Sequence, residues 1–146
     1  MTVEVECVQQ VTAELVAAFG RLLPQLSRSA APLDTAALER LAGWNGNRLL
    51  VARVDGAIVG TLTLAMFPIP TGLRAWIEDV VVDESARGHG VGAALTVEAI
   101  RLARAEGART VDLTSRPSRV AANRLYERLG FELRDSRVYR LSEERR

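Results

Sequence analysis

Arg87-Gly88-His89-Gly90-Val91-Gly92 lies between a run of strand-forming residues, 76–82, and an amphipathic helical pattern, 91–106. A strand, a short glycine loop and a helix start make a place for phosphate. Glycines let a backbone come close to a ligand and take up positive φ. A helix start offers N–H groups with no intrahelical partner and the positive end of the helix dipole. Together these form an anion cradle, with Arg87 adding a fixed positive charge at its edge.

Three phosphate-binding patterns compete for this stretch. A P-loop requires G-x-x-x-x-G-K-[ST], and the chain contains no lysine. The dinucleotide fingerprint G-x-G-x-x-A fits Gly88-His89-Gly90-Val91-Gly92-Ala93, with Asp112 about twenty residues on. Against it, Asp83-Glu84-Ser85-Ala86-Arg87 separates the strand from the first glycine, and Asp112 falls inside an expected strand, 110–114, rather than at its end. The third pattern, R-x-x-G-x-G, is matched by Arg87, Gly90 and Gly92 and wraps the pyrophosphate of coenzyme A.

The C-terminal third decides between them. Ala121-Ala122-Asn123-Arg124-Leu125-Tyr126-Glu127-Arg128-Leu129-Gly130-Phe131 reads as a helix closed by glycine, then a strand. With this segment and the R-x-x-G-x-G loop in order, the chain resembles the GNAT superfamily of N-acetyltransferases. The resemblance covers residues 48–141 well and the N-terminal part in outline. It implies a mixed α/β fold: a mostly antiparallel sheet flanked by helices, with two splayed central parallel strands, 76–82 and 110–114. Splaying leaves backbone N–H and C=O groups that must find partners. In the family the pantetheine arm of coenzyme A supplies them.

Upstream, Val3, Val5 and Cys7 alternate with Glu4 and Glu6 as a half-buried first strand. Residues 12–23 read as a helix, 24–32 as a loop, and Asp34 as the cap of a helix over 35–41. Strands 48–54 and 57–66 are joined by Asp55-Gly56, a strong hairpin signal. Phe67-Pro68-Ile69-Pro70-Thr71-Gly72 is expected to break the chain before the central strand, 73–82. The long helix should bury Val91, Leu95, Ala99, Leu102 and Ala103 and end at Gly107. Ser118 is expected to cap the helix running to 129. Residues 131–134 and 138–141 should form a last hairpin, and 142–146 a frayed tail.

A length of 146 residues with 48% hydrophobic residues fits one domain, 1–146, with a substantial core. Net charge is +1, giving no general attraction to nucleic acid. All 19 basic residues are arginine, the mark of a GC-rich coding bias rather than of a basic face. Cys7 is the lone cysteine and is expected to be a buried strand thiol rather than a nucleophile. No apolar run approaches the ~20 residues of a membrane span, and the N-terminus does not read as a signal peptide. A cytoplasmic protein without membrane or nucleic-acid partners is the expectation. No ligand spacing for a metal appears, so none is expected. No G-x-S-x-G elbow appears, so acyl transfer should be direct.

Acetyl transfer to an amine requires a deprotonated amine, an aligned thioester, donors for the developing oxyanion and a proton for the departing thiolate. The resemblance assigns Glu78, in the central strand, as general base; it could instead bind the cationic amine or be structural. Asp79 should point to the opposite face by strand alternation. The resemblance also makes Tyr126 the general acid and Asn123 a cofactor contact. Tyr126 and Asn123, three apart on one helix, share a face. Backbone at Val80, Val81 and Val82 would pair with pantetheine, the amide near Val80 also facing the thioester oxygen. Arg87, Gly88, His89, Gly90, Val91 and Gly92 would wrap the pyrophosphate. His89 is read as a phosphate or solvent contact rather than a catalytic group. Arg116 and Arg119 are weaker candidates for the 3′-phosphate.

The function expected is direct transfer of the acetyl group of acetyl-CoA to a primary amine through a ternary complex. A small-molecule amine is favoured as acceptor over a protein lysine or N-terminus. A non-catalytic acyl-CoA sensor is the third reading, and the presence of both Glu78 and Tyr126 argues against it. The resemblance alone suggests a homodimer through the C-terminal strands.

Overall fold

A computed structural model describes residues 2–143. The elements run β1 (Val3–Cys7), α1 (Ala13–Leu26), α2 (Thr35–Gly43), β2 (Asn47–Val54), β3 (Ala57–Ile69), β4 (Gly72–Val82), a 3-10 turn (Glu84–Ala86), α3 (Val91–Ala105), β5 (Thr110–Asp112) and α4 (Val120–Arg128). They fall into two compact units, Met1–Thr114 and Ser115–Arg146. The first holds a five-stranded sheet in the order β1-β2-β3-β4-β5. Every neighbouring pair is antiparallel except β4 and β5. This is the mixed, mostly antiparallel α/β sheet flanked by helices that the resemblance implies.

Local chemistry sets most boundaries. The Thr12 hydroxyl accepts from the Leu15 amide at 3.2 Å, and the Asp34 carboxylate from the Ala37 amide at 2.8 Å, starting α1 and α2. Asp55 and Gly56 both take positive φ, 51° and 82°, as the primed turn of a tight hairpin requires.

Helices cover both faces of the sheet. On one, Leu15, Ala18, Phe19 and Leu22 of α1 and Leu38 of α2 meet Leu49, Val51, Ile58 and Val81. On the other, α3 lies over Gly60: a Cβ there would stand 2.9 Å from Val91 Cγ1 and 3.2 Å from Leu95 Cδ1. Leu62 shares that face by alternation and pairs with Leu50; both are fully buried. Burying one leucine contributes roughly 1.5–3 kcal/mol, so α3 is held by packing at least as much as by propensity.

Several sequence expectations are corrected. Cys7 and Leu102 are half-buried rather than buried. Helix α1 does not stop at residue 23 but passes through Pro24 to Leu26. The proline removes one N–H close to the helix end, and the partly buried Leu26 repays it against the core. Residues 67–69 are not a break: β3 runs on to Ile69, with Pro68 opposite Leu73 in one long β3–β4 hairpin. Ser118 does not cap α4, whose first turn follows Arg119 and has no side-chain cap. Strand β5 ends at Asp112, not 114, so Asp112 does sit at a strand end. The dinucleotide reading is then opposed by the inserted 3-10 turn and by the antiparallel sheet.

The last hairpin does not form. Residues 131–143 carry no strand, and Leu133 and Leu141 are fully exposed. Alternating apolar residues there give β-propensity, but a two-stranded hairpin without a buried face is marginal. The parallel pair therefore stands at the end of the described ladder.

Candidate acetyl-transfer site

The site begins where β4 loses a partner. Pairing with β5 covers Arg74↔Thr110, Ala75↔Val111 and Trp76↔Asp112, and stops there. Along residues 77–82, β4 has no partner on its β5 side among the described residues. This is the splay, and it exposes Val80, Val81 and Val82 as an open backbone edge. Val81 is buried on the α1 side, while Val80 and Val82 are half-buried.

A bulge sits inside that edge. On β3, Thr61 pairs with Val81 and Thr63 with Glu78, so one β3 residue faces two on β4. Asp79 absorbs the mismatch with φ 49° in the left-handed region, which aspartate tolerates better than most residues. The break in alternation falls between Asp79 and Val80, which together face Leu62, while Glu78 stays in register with Thr63 and Asp79 follows it on the other face. Glu78 and Asp79 are both exposed. Partial burial of the Glu78 carboxyl, and then the negative charge of Asp79, raise its pKa above the ordinary value of 4.5. A carboxyl moved toward neutrality is a better proton acceptor from an amine.

The loop after β4 is held by its own side chains. The Asp83 carboxylate accepts from the Ser85 amide at 3.1 Å, which lowers its pKa, and the Glu84 amide donates to Gln25 Oε1 at 3.0 Å. Arg87 Nε donates to the Val82 carbonyl at 3.3 Å, folding the guanidinium back over the end of β4. Gly88 and Gly90 take φ 83° and 78°, and Gly90 begins α3 without any side-chain cap. Among the described residues, no amide of residues 88–93 donates to a backbone carbonyl. Apart from the glycine and its chain neighbours, no described heavy atom lies within 4 Å of where a Cβ would sit at Gly88 or Gly90. Open space, unpartnered amides and a helix start are what a diphosphate requires. His89 is exposed within this loop.

Tyr126 and Asn123 belong to the second unit. Tyr126 is buried, its ring edge-on to Phe131 at 5.9 Å and 68°. Asn123 Nδ2 donates to the Arg116 carbonyl at 3.0 Å, so the amide is already committed to holding the turn before α4. Arg116 and Arg119 are exposed. One feature escaped the reading of residues. Asp112 Oδ2 and Thr110 Oγ1 on β5 are buried and have no hydrogen-bond partner among the described residues. No spacing of residue types signals it, since the sequence places Asp112 inside a strand running to 114 and only the fold ends that strand at Asp112. No group of three or more His, Cys, Asp or Glu suited to a metal occurs among the described residues.

A family model for the acetyltransferase (GNAT) family matches residues 14–131. The chain belongs to that family and is an acyltransferase. It is 35% identical over 117 residues to a glucosamine 6-phosphate N-acetyltransferase of Trypanosoma brucei brucei, covering 75% of this chain and 78% of the relative. The crystal structure of a Trypanosoma brucei acetyltransferase superposes with a TM-score of 0.78 at 30% identity, covering 97% of this chain and all of the other. A Bacillus halodurans structure described as a transcriptional regulator gives 0.80 at 27% identity, covering 97% of this chain and 100% of the other. Acetyl transfer to an amine is the activity this kinship supports.

Proposed function

We propose that the chain moves the acetyl group of acetyl-CoA directly to the primary amine of a small molecule, within a ternary complex and in one domain spanning both units. One observation carries the reading. A run of unpartnered amides at residues 88–93 stands beside the open edge of β4. Bound there, the cosubstrate supplies an activated acetyl thioester. Arg87 and the amides of Gly88, His89, Gly90, Val91 and Gly92 hold its diphosphate. Backbone groups at Val80, Val81 and Val82 hold its amide-rich arm, with the amide near Val80 facing the carbonyl oxygen as charge builds there.

Glu78 takes the proton of the incoming ammonium, directly or through water, leaving a lone pair free to attack. Tyr126 returns a proton from its phenol to the departing sulfur. Asn123 contacts the cofactor through its Oδ1 while its Nδ2 holds the turn before α4. The amino-sugar phosphate named for the trypanosome relative supports a small acceptor. The proposed setting is the cytoplasm.

The test is thiol release from acetyl-CoA with glucosamine, glucosamine 6-phosphate, kanamycin, spermidine, free amino acids and lysine peptides. Turnover with a small amine at least tenfold above any peptide is expected. The reverse order would make the acceptor a protein, and coenzyme A binding without turnover would leave a sensor.

A further inference from the structure

Asp112 is the last residue of β5 and pairs with Trp76, the last β4 residue to have a β5 neighbour. It therefore stands at the vertex from which the two strands part. Paired residues share a face of a sheet, and so do residues two apart on a strand. Asp112 accordingly lies on the face of Trp76 and, ahead of the bulge, of Glu78. Register agrees, since Trp76 and Glu78 pair with Ala65 and Thr63, themselves two apart on β3. Glu78 is about 7 Å along the strand from Trp76.

The Asp112 side chain is out of place for a purely structural residue. Its Oδ2 is buried and meets no donor among the described residues. Thr110 Oγ1, two residues back on the same face, is in the same condition. Native proteins leave few such atoms, because enclosing a carboxylate oxygen without a donor forfeits its hydration for nothing. A donor brought in by a ligand removes that penalty.

The position says which ligand. The diphosphate is gripped beyond the C-terminal end of β4, so the rest of the cosubstrate runs back along the open edge toward the vertex. Its acyl end faces the level of Glu78 and Trp76, and the attacking amine must arrive there. We infer that Asp112 is an acceptor-binding residue whose enclosed carboxylate oxygen takes a hydrogen bond from the acceptor's ammonium, holding it on the face from which Glu78 removes the proton. Thr110, one step further from the acyl group, offers its hydroxyl to a second polar atom of the acceptor. The ligand class is a primary amine that carries a neighbouring hydroxyl, as in an amino sugar.

This inference rests on the acetyltransferase reading, and the experiment separates the two. Asp112→Asn keeps the size of the side chain and removes its charge. The variant is expected to unfold a few degrees above the wild type when free. With acetyl-CoA saturating, its KM for whichever of glucosamine, kanamycin or spermidine the wild type uses best should rise at least tenfold. Its KM for acetyl-CoA should stay within twofold. A variant that melts lower or fails to fold, or an amine KM within threefold of wild type, would overturn the proposal. So would a wild type that binds coenzyme A yet accepts none of the three amines. A wild type that does not bind coenzyme A would instead remove the acetyltransferase reading.

Discussion

At the scale of single residues, Glu78 shows how far local pattern carries. Its place in the central strand is legible, because strand formers flank it, Trp76-Ile77 before and Val80 to Val82 after, and the acidic turn residues Asp83-Glu84 close the run. The bulge beside it is not, because it arises from the offset between the pairs Thr61–Val81 and Thr63–Glu78, whose members lie 20 and 15 positions apart in the chain. The consequence is electrostatic. Burial and the charge of Asp79 raise the Glu78 pKa, so the folded chain holds that proton more tightly than the unfolded one. Its stabilising contribution is complete below the ordinary carboxylate range and is lost as pH rises through the raised value. Glu78→Gln should therefore melt slightly above wild type at pH ~7, with the gap closing near pH ~4, as thermal scans at both pH values will read. The same variant should lose roughly 10²–10⁴ in kcat, with its optimum moved to higher pH because the amine must then shed its proton to water. An unchanged pH–rate profile would release Glu78 from the role of base. Tyr126→Phe should cost roughly 10²-fold or more in kcat while coenzyme A affinity stays near wild type. Equal losses in both would make the buried ring a packing residue.

At the scale of elements, what the chain declares is what neighbours in sequence decide. Thr12 and Asp34 cap their helices, Asp55-Gly56 turns its hairpin, and Gly90 opens α3, all by interactions spanning a few residues. What it hides depends on distant partners. Pro24 survives inside α1 because Leu26 has a core to join, and Pro68 stays in β3 because pairing with β2 ends at Ala65 and leaves that stretch paired with β4 alone. The hairpin expected at 131–141 fails for the converse reason, having strand-forming residues and no buried face. Two substitutions probe the seating of α3. Gly60→Ala would set a methyl 2.9 Å from Val91 Cγ1 and 3.3 Å from the Val81 carbonyl, so a loss of about 1–3 kcal/mol in urea unfolding is expected. Gly90→Ala meets no neighbour but must hold φ 78°, for about 1–2 kcal/mol, and should also weaken coenzyme A binding by moving the amides that follow it. Wild-type stability in either variant would contradict the seating described.

At the scale of the whole molecule, the family likeness runs from residue 14 to residue 131 and so spans both compact units. The two anchors that made the likeness legible, R-x-x-G-x-G and N-R-L-Y-E-R-L-G-F, each report one unit. The acceptor end stayed hidden because Asp112 matters through enclosure at the strand vertex, which no spacing of residue types encodes. Since only the folded chain should offer the amide cradle, coenzyme A at about 100 times its Kd should stabilise the protein by about 2.7 kcal/mol. For a chain of this size that is a rise in melting temperature of roughly 5–11 °C. Calorimetric titration with coenzyme A, and separately with NAD, tests the grip on the diphosphate most directly. Saturable one-to-one uptake of coenzyme A, weakened by Gly90→Ala and unmatched by NAD, is the expected result. No uptake of coenzyme A, or displacement of it by NAD, would contradict the account.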